Sequence, residues 1–143
     1  MRNDRIEILL VEDDAFDSFV TQHYLRKGRL NYRLKVVHTG TEALDLLHSR
    51  GHYKNSRLPD LILVDVGLPD MDGREILEDL KEDGRLGKIP AIVLTGQRLE
   101  ENPIQKFNLY EHTYLNKWVN MGEFLSLVKA VADFRTCVDM SHS

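Results

Sequence analysis

Three short apolar runs constrain this chain more than any other feature. Ile8–Val11, Leu61–Val64 and Ala91–Leu94 are rich in Ile, Val and Leu, and each gives way at once to polar residues. Short apolar runs without alternation fit strands buried on both faces, as in a parallel sheet. Leu34–His38 and Thr113–Leu115 read as two further strands. Helical patterns lie between them. Asp14 is placed to cap a helix in which Phe16, Phe19, Val20 and Tyr24 would form one apolar face, with Asp17 adding negative charge in its first turn. Thr39 and Glu42 stand at capping-box spacing ahead of Ala43, Leu44 and Leu47. Ile76, Leu77 and Leu80 make a third stripe, and Met121, Phe124, Leu125, Val128 and Ala132 a last one. The stretch Glu101–Tyr110 is a poorer helix, since Pro103 is tolerable only in a first turn. Five alternations of strand and helix predict an α/β fold of the (βα)5 kind, a doubly wound five-stranded parallel sheet with helices on both faces.

Composition narrows the function classes. A chain of 143 residues suits one domain, and at 42% hydrophobic and 29% charged it is too apolar for a disordered tail. No apolar run is long enough to cross a bilayer and the N-terminus is too polar for a signal peptide, so a cytoplasmic protein without a membrane partner is expected. Cys137 is the single cysteine, which excludes an internal disulfide or a cysteine-based zinc site. A net charge of −4 gives no electrostatic footprint for nucleic acid. The histidines (His23, His38, His48, His52, His112 and His142) are scattered without convincing ligand spacing and read as surface or packing residues.

In a doubly wound sheet, ligands bind outside the carboxyl ends of the strands. The residues at those ends form a coherent set. Glu12, Asp13 and Asp14 follow the first strand, Asp65 the third, Thr95 the fourth, and Lys117 comes just past the fifth. Taken singly, each has an ordinary reading: Asp13 and Asp14 as a cap pair, Asp65 as a turn residue, Thr95 and Lys117 as surface residues. Together they place several carboxylates at one edge, where they repel unless a cation joins them. A hard, oxygen-seeking ion such as Mg²⁺ answers that need and leaves room for a phosphoryl oxygen. A lysine and a threonine nearby offer a charge and a hydrogen bond to further phosphoryl oxygens, and a carboxylate can itself be the nucleophile. The set points to phosphoryl transfer to an aspartate.

Leu9-Leu10-Val11-Glu12-Asp13-Asp14, Pro59 through Asp65, Leu68-Pro69-Asp70-Met71-Asp72-Gly73, Leu94-Thr95-Gly96 and Tyr114-Leu115-Asn116-Lys117 resemble the receiver domain of two-component response regulators. The likeness runs from about Ile6 to Phe134, and the spacings from Asp65 to Thr95 and from Thr95 to Lys117 are also similar to the family's. The resemblance implies that Asp65 is the phosphoacceptor. It implies that Asp13 binds Mg²⁺ directly and Glu12 through water, with Asp65 and the backbone carbonyl of Gly67 completing the protein ligands. Lys117 would pair with the phosphoryl group. Thr95 would turn inward to bond it and Tyr114 would follow, a two-state switch that alters the last helix-strand-helix surface. The implied donor is a phosphohistidine on a sensor histidine kinase, and the chain would not be a turnover enzyme. A receiver domain over residues 1–135 with a tail over 136–143 is expected. Little chain remains after Phe134, so the receiver is expected to act alone by binding a downstream protein.

The chain departs from the family's pattern in four places. Trp118 stands where a proline, held in a cis bond, usually follows the lysine; a cis bond to a non-proline residue costs about 2.5–4 kcal/mol. Tyr110-Glu111-His112 replaces the usual small pair before the last strand. The interval from Asp13 to Asp65 is longer than usual, which assigns the extra residues to the polar, basic loop Ser49–Leu58. Gly67 and Gln97 occupy the variable positions beside the phosphoryl group, and Gly67 has no side chain to shield it, so rapid self-dephosphorylation is expected. Leu127, Ala130 and Phe134 add a second apolar side to the last helix. Either they form a homodimer or partner surface together with Tyr110 and Trp118, or Phe134 folds back on the core. The long loop, Gly73-Arg74-Glu75-Ile76 and Lys88-Ile89-Pro90 are similar to the small regulators that serve bacterial and cyanobacterial phytochromes, which also dimerise. Two other classes compete: a phosphohydrolase of the haloacid dehalogenase type, which needs an Asp where Gly67 stands, and a receiver-shaped adaptor that is never phosphorylated.

Overall fold

The computed structural model describes residues 5–95, 113–116, 125–126 and 128–130. Within them the elements run β1 (Ile6–Val11), α1 (Ala15–Lys27), β2 (Tyr32–Val37), α2 (Gly40–Leu47), β3 (Leu61–Asp65), α3 (Gly73–Lys81), β4 (Ala91–Thr95) and β5 (Thr113–Asn116). Short 3₁₀ turns fall at Gly51–Tyr53 and Leu86–Lys88. The strands form one parallel sheet in the order β2-β1-β3-β4-β5, so the order reverses at β1, between β2 and β3. The expected α/β sheet of five parallel strands is present. The stretch 101–110 lies outside the described residues. Of the last helix, residues 125–126 and 128–130 are helical.

The strands are apolar throughout because alternate residues enter two different cores. Ile6, Ile8 and Leu10 of β1 join Leu61, Leu63, Ile92 and Leu94 on one face, with Leu25 of α1 and Val128 over them. Leu9 and Val11 join Ile62, Val64, Ala91 and Val93 on the other, under Ala43, Leu46 and Leu47 of α2 and Ile76, Leu77 and Leu80 of α3. Burying side chains of this size stabilises by roughly 1.5–3 kcal/mol each.

The helix starts follow their caps. Asp17 N–H donates to Asp14 Oδ1 (2.9 Å) and Glu42 N–H to Thr39 Oγ1 (3.0 Å). At α3 the Asp72 side chain and Glu75 form a reciprocal capping box, and Arg74 Nη2 donates to Asp72 Oδ2 at 2.7 Å.

One expectation for α1 is overturned. Its buried face carries Ser18, Thr21 and Leu25, while Phe16 and Phe19 are 69% and 60% exposed. The two faces of this helix differ little in apolar content, so periodicity could not choose between them. The small side chains of Ser18 and Thr21 let the helix lie close to the sheet, and the bulkier phenyl rings are left outside. Tyr24 packs at the margin of the core.

Candidate functional site

The topology delivers the strand-end residues to one place. β1 and β3 are neighbours, paired Val11 with Val64, so Glu12 and Asp13 emerge beside Asp65. Carboxylate oxygens of Glu12, Asp13 and Asp65 all lie within 4.8 Å of one another. Glu12 is fully buried at 0% exposure, Asp65 is 7% exposed, and Asp13 faces solvent. Asp14 N–H lies 3.4 Å from Glu12 Oε2, and the ring Nδ1 of His38 sits 3.2 Å from the Glu12 carbonyl oxygen. Asp14 thus caps α1 and turns its carboxylate to the helix.

The residues after β3 form the other wall. Gly67 N–H donates to Asp65 Oδ1 at 3.3 Å, and Gly67 pairs with Asp72 in a single bridge that closes the turn. A Cβ at Gly67 would meet nothing within 4 Å among the described residues, so the space beside this position is open. Gly73 is the opposite case. A Cβ there would stand 2.1 Å from the Asp65 carbonyl oxygen and 2.6 Å from Val64 Cγ1, so only glycine lets α3 start this close to the strand end.

The same turn is latched to α2. Asp70 Oδ1 accepts from Gly40 N–H (2.8 Å), and Oδ2 accepts from Thr41 N–H (2.9 Å) and Thr41 Oγ1 (2.7 Å). Burial would raise the Asp70 pKa, but the Thr41 hydroxyl and the Gly40 and Thr41 amides outweigh it and hold the carboxyl below its ordinary value. A carboxylate at a helix N-terminus also opposes the helix dipole favourably. Asp70 stands in a motif noted in the sequence, yet its partners lie 29 and 30 residues away, so nothing local pointed to the latch.

The other expected site residues are placed by backbone only, or not at all. Thr95 ends β4, next to β3, and its register partner on β5 is Asn116; Tyr114 pairs with Val93. Both therefore belong to strands ending at the same edge as Asp65. Lys117, Trp118 and Gln97 lie outside the described residues, as does the Lys117-Trp118 peptide.

A hard dication fits this donor set. The site offers oxygen donors alone, two of the three carboxylates are withdrawn from water, and like charges this close are costly without a counter-ion.

The family follows from comparison. Residues 8–129 match the response regulator receiver domain, and the chain belongs to that family, whose members work in two-component signalling. It is 36% identical over 127 residues to the response regulator Rcp1 of Synechocystis sp., covering 89% of this chain and 86% of that one. The fold is similar to the phosphorylated cyanobacterial phytochrome response regulator RcpA, with a TM-score of 0.76 and 34% identity over 91% of this chain and 93% of that one. It is equally similar to the Mn²⁺-bound form of Rcp1, with a TM-score of 0.74 and 36% identity over 90% and 93% of the two chains. The expected likeness to phytochrome-associated regulators is borne out. Among the described residues no helix is long and apolar enough to cross a membrane.

Proposed function

We propose that this receiver takes a phosphoryl group onto Asp65 from a phosphohistidine of a sensor histidine kinase, in a Mg²⁺-dependent reaction, and signals to a partner protein through Thr95 and Tyr114. The observation that carries the reading is the convergence of Glu12, Asp13 and Asp65 within 4.8 Å at the carboxyl edge of the sheet. A carboxylate oxygen of Asp65 attacks the phosphorus as the bond to the imidazole nitrogen breaks. A P–O bond forms, and the nitrogen keeps the electron pair of the broken bond. Glu12, Asp13, Asp65 and the Gly67 carbonyl would hold Mg²⁺, which supplies positive charge against the carboxylates and the phosphoryl oxygens. Lys117 pairs with one phosphoryl oxygen and the Thr95 hydroxyl donates to another, with Tyr114 moving after it.

The open space over Gly67 admits water, so the acyl phosphate hydrolyses rapidly. The chain catalyses only its own phosphorylation and dephosphorylation. Likeness to RcpA and Rcp1 supports a phytochrome as the kinase. Phe16 and Phe19, exposed in the first turns of α1 just after the acidic residues, offer that kinase an apolar surface. The receiver spans residues 1–135 with a tail over 136–143, works in the cytoplasm, and carries its downstream or homodimer surface on the last helix-strand-helix region.

The test is intact mass after incubation with Mg²⁺ and acetyl phosphate, beside Asp65→Asn. One phosphoryl adduct is expected, absent from the variant and from a metal-free sample. If no adduct forms and a stable phosphoryl mimic also fails to bind, the chain is an unphosphorylated adaptor.

A further inference from the structure

The opposite end of the sheet holds a cavity that the acceptor chemistry does not use. It has a volume of about 210 Å³ and lies between β1, β2, the end of α2 and the loop before β3. That is many times the roughly 10–15 Å³ of such space that one water molecule needs. Glu7 stands in its wall, 9% exposed, with Oε1 buried and receiving no hydrogen bond from the described residues. Arg33 approaches that oxygen from β2 at 3.8 Å and Arg57 from the loop at 3.9 Å, charge contacts too long for hydrogen bonds. Both arginine side chains remain more than half exposed, at 55% and 56%. Lys35 adds a third cation to the lining, against the single carboxylate of Glu7. Leu46 and Pro59 supply apolar wall.

The long loop Ser49–Leu58 makes this geometry. Tyr53 is buried, its hydroxyl lies 3.4 Å from Glu42 Oε2, and Lys35 Nζ stands 5.5 Å from its ring centre. Burial and then the Glu42 charge push the phenol pKa up, which keeps it a donor to that carboxylate. At the far end of the loop, Asp60 Oδ2 accepts from Glu7 N–H (2.7 Å) and Asp60 N–H donates to the Glu7 carbonyl (2.7 Å). The loop is thus fastened on both sides, which holds Arg57 beside Glu7.

We propose that this cavity is a binding site for a small organic anion, a phosphate monoester or a carboxylate. The anionic group accepts from Arg33 and Arg57, whose side chains are more than half exposed and line the cavity. The carbon skeleton of the ligand lies along Leu46 and Pro59. A cation would meet surplus positive charge there.

The test is a residue-resolved NMR titration of the full chain in metal-free buffer, where the acidic edge repels anions. The probes are glycerol 3-phosphate, glycerate, inorganic phosphate and glycerol. Saturable shifts at the Leu9, Lys35 and Arg57 amides are expected with one or both of the first two, at least tenfold weaker with the last two. The preferred probe tells a phosphate site from a carboxylate site. Arg57→Gln, a change at an exposed side chain, is expected to weaken binding at least tenfold. Equal affinity for wild type and Arg57→Gln, shifts confined to the acidic edge, or no saturation by either organic anion would overturn the proposal.

Discussion

The two ends of strand β1 solve the problem of a buried carboxylate in opposite ways. At the carboxyl end, carboxylate oxygens of Glu12, Asp13 and Asp65 converge within 4.8 Å, a donor set that suits a hard cation. At the amino end, Glu7 is met by Arg33 and Arg57 of the chain itself, and the excess positive charge faces solvent. Burying a charge is costly without compensation, and the source of the compensation decides what the region can do. An acidic cluster of oxygen donors is suited to a metal ion. A carboxylate already opposed by two guanidiniums is set up to hold an anion instead.

The sharpest way to break the comparison is Asp65→Asn. Complete loss of the phosphoryl adduct by mass is expected, with the Leu9, Lys35 and Arg57 amides at the other end unchanged. Next is Gly73→Ala, which overpacks the acceptor strand and is expected to destabilise by about 1–3 kcal/mol in urea unfolding. Gly67→Ala, entering open space, is expected to stay within about 0.5 kcal/mol and to lengthen the phosphoryl lifetime. Equal losses from the two glycine variants would show that the acceptor turn is less tightly seated on β3 than the distances indicate.

Asp70→Ala comes third, at about 1 kcal/mol near neutral pH, the scale of a lost helix cap. Its sign with pH is fixed by the lowered carboxyl pKa. The native carboxylate contributes above the ordinary value near 3.8, and that contribution fades as pH falls through the lower folded value. The gap between wild type and variant should therefore close in acid, as urea midpoints from pH 7 to pH 2 would record. Smallest in stability is the Phe16→Ser, Phe19→Ser pair, expected within about 0.5 kcal/mol because both rings are exposed. Transfer from the kinase should slow about tenfold if the rings anchor it. A stability loss of several kcal/mol would mean instead that the rings are packed.

What was legible in the sequence was what sits close in the chain. Ile8–Val11, Leu61–Val64 and Ala91–Leu94 announced buried strands, and Asp14 and Thr39 announced their helices. Glu12, Asp13 and Asp65 could be joined because strand ends of a doubly wound sheet share one edge. What was not legible depends on register and rotation. Ser18 and Thr21 displaced Phe16 and Phe19 from the buried face of α1, since close approach to the sheet favours small side chains over the larger apolar rings. Asp70 reaches α2, and Arg57 meets Arg33 at Glu7, across separations that no local pattern records. Thr95 and Tyr114 were assigned by likeness to a family, and the backbone adds only that their strands end at the right edge.

The most direct measurement at the acidic end is Mg²⁺ titration, with and without a beryllofluoride phosphoryl mimic, followed at the amides of Asp13, Asp65 and Gly67 in wild type and Asp65→Asn. Saturable Mg²⁺ shifts at these three, enlarged by the mimic in wild type and not enlarged in the variant, are predicted. Shifts centred elsewhere, or a mimic response that survives Asp65→Asn, would contradict Asp65 as the acceptor.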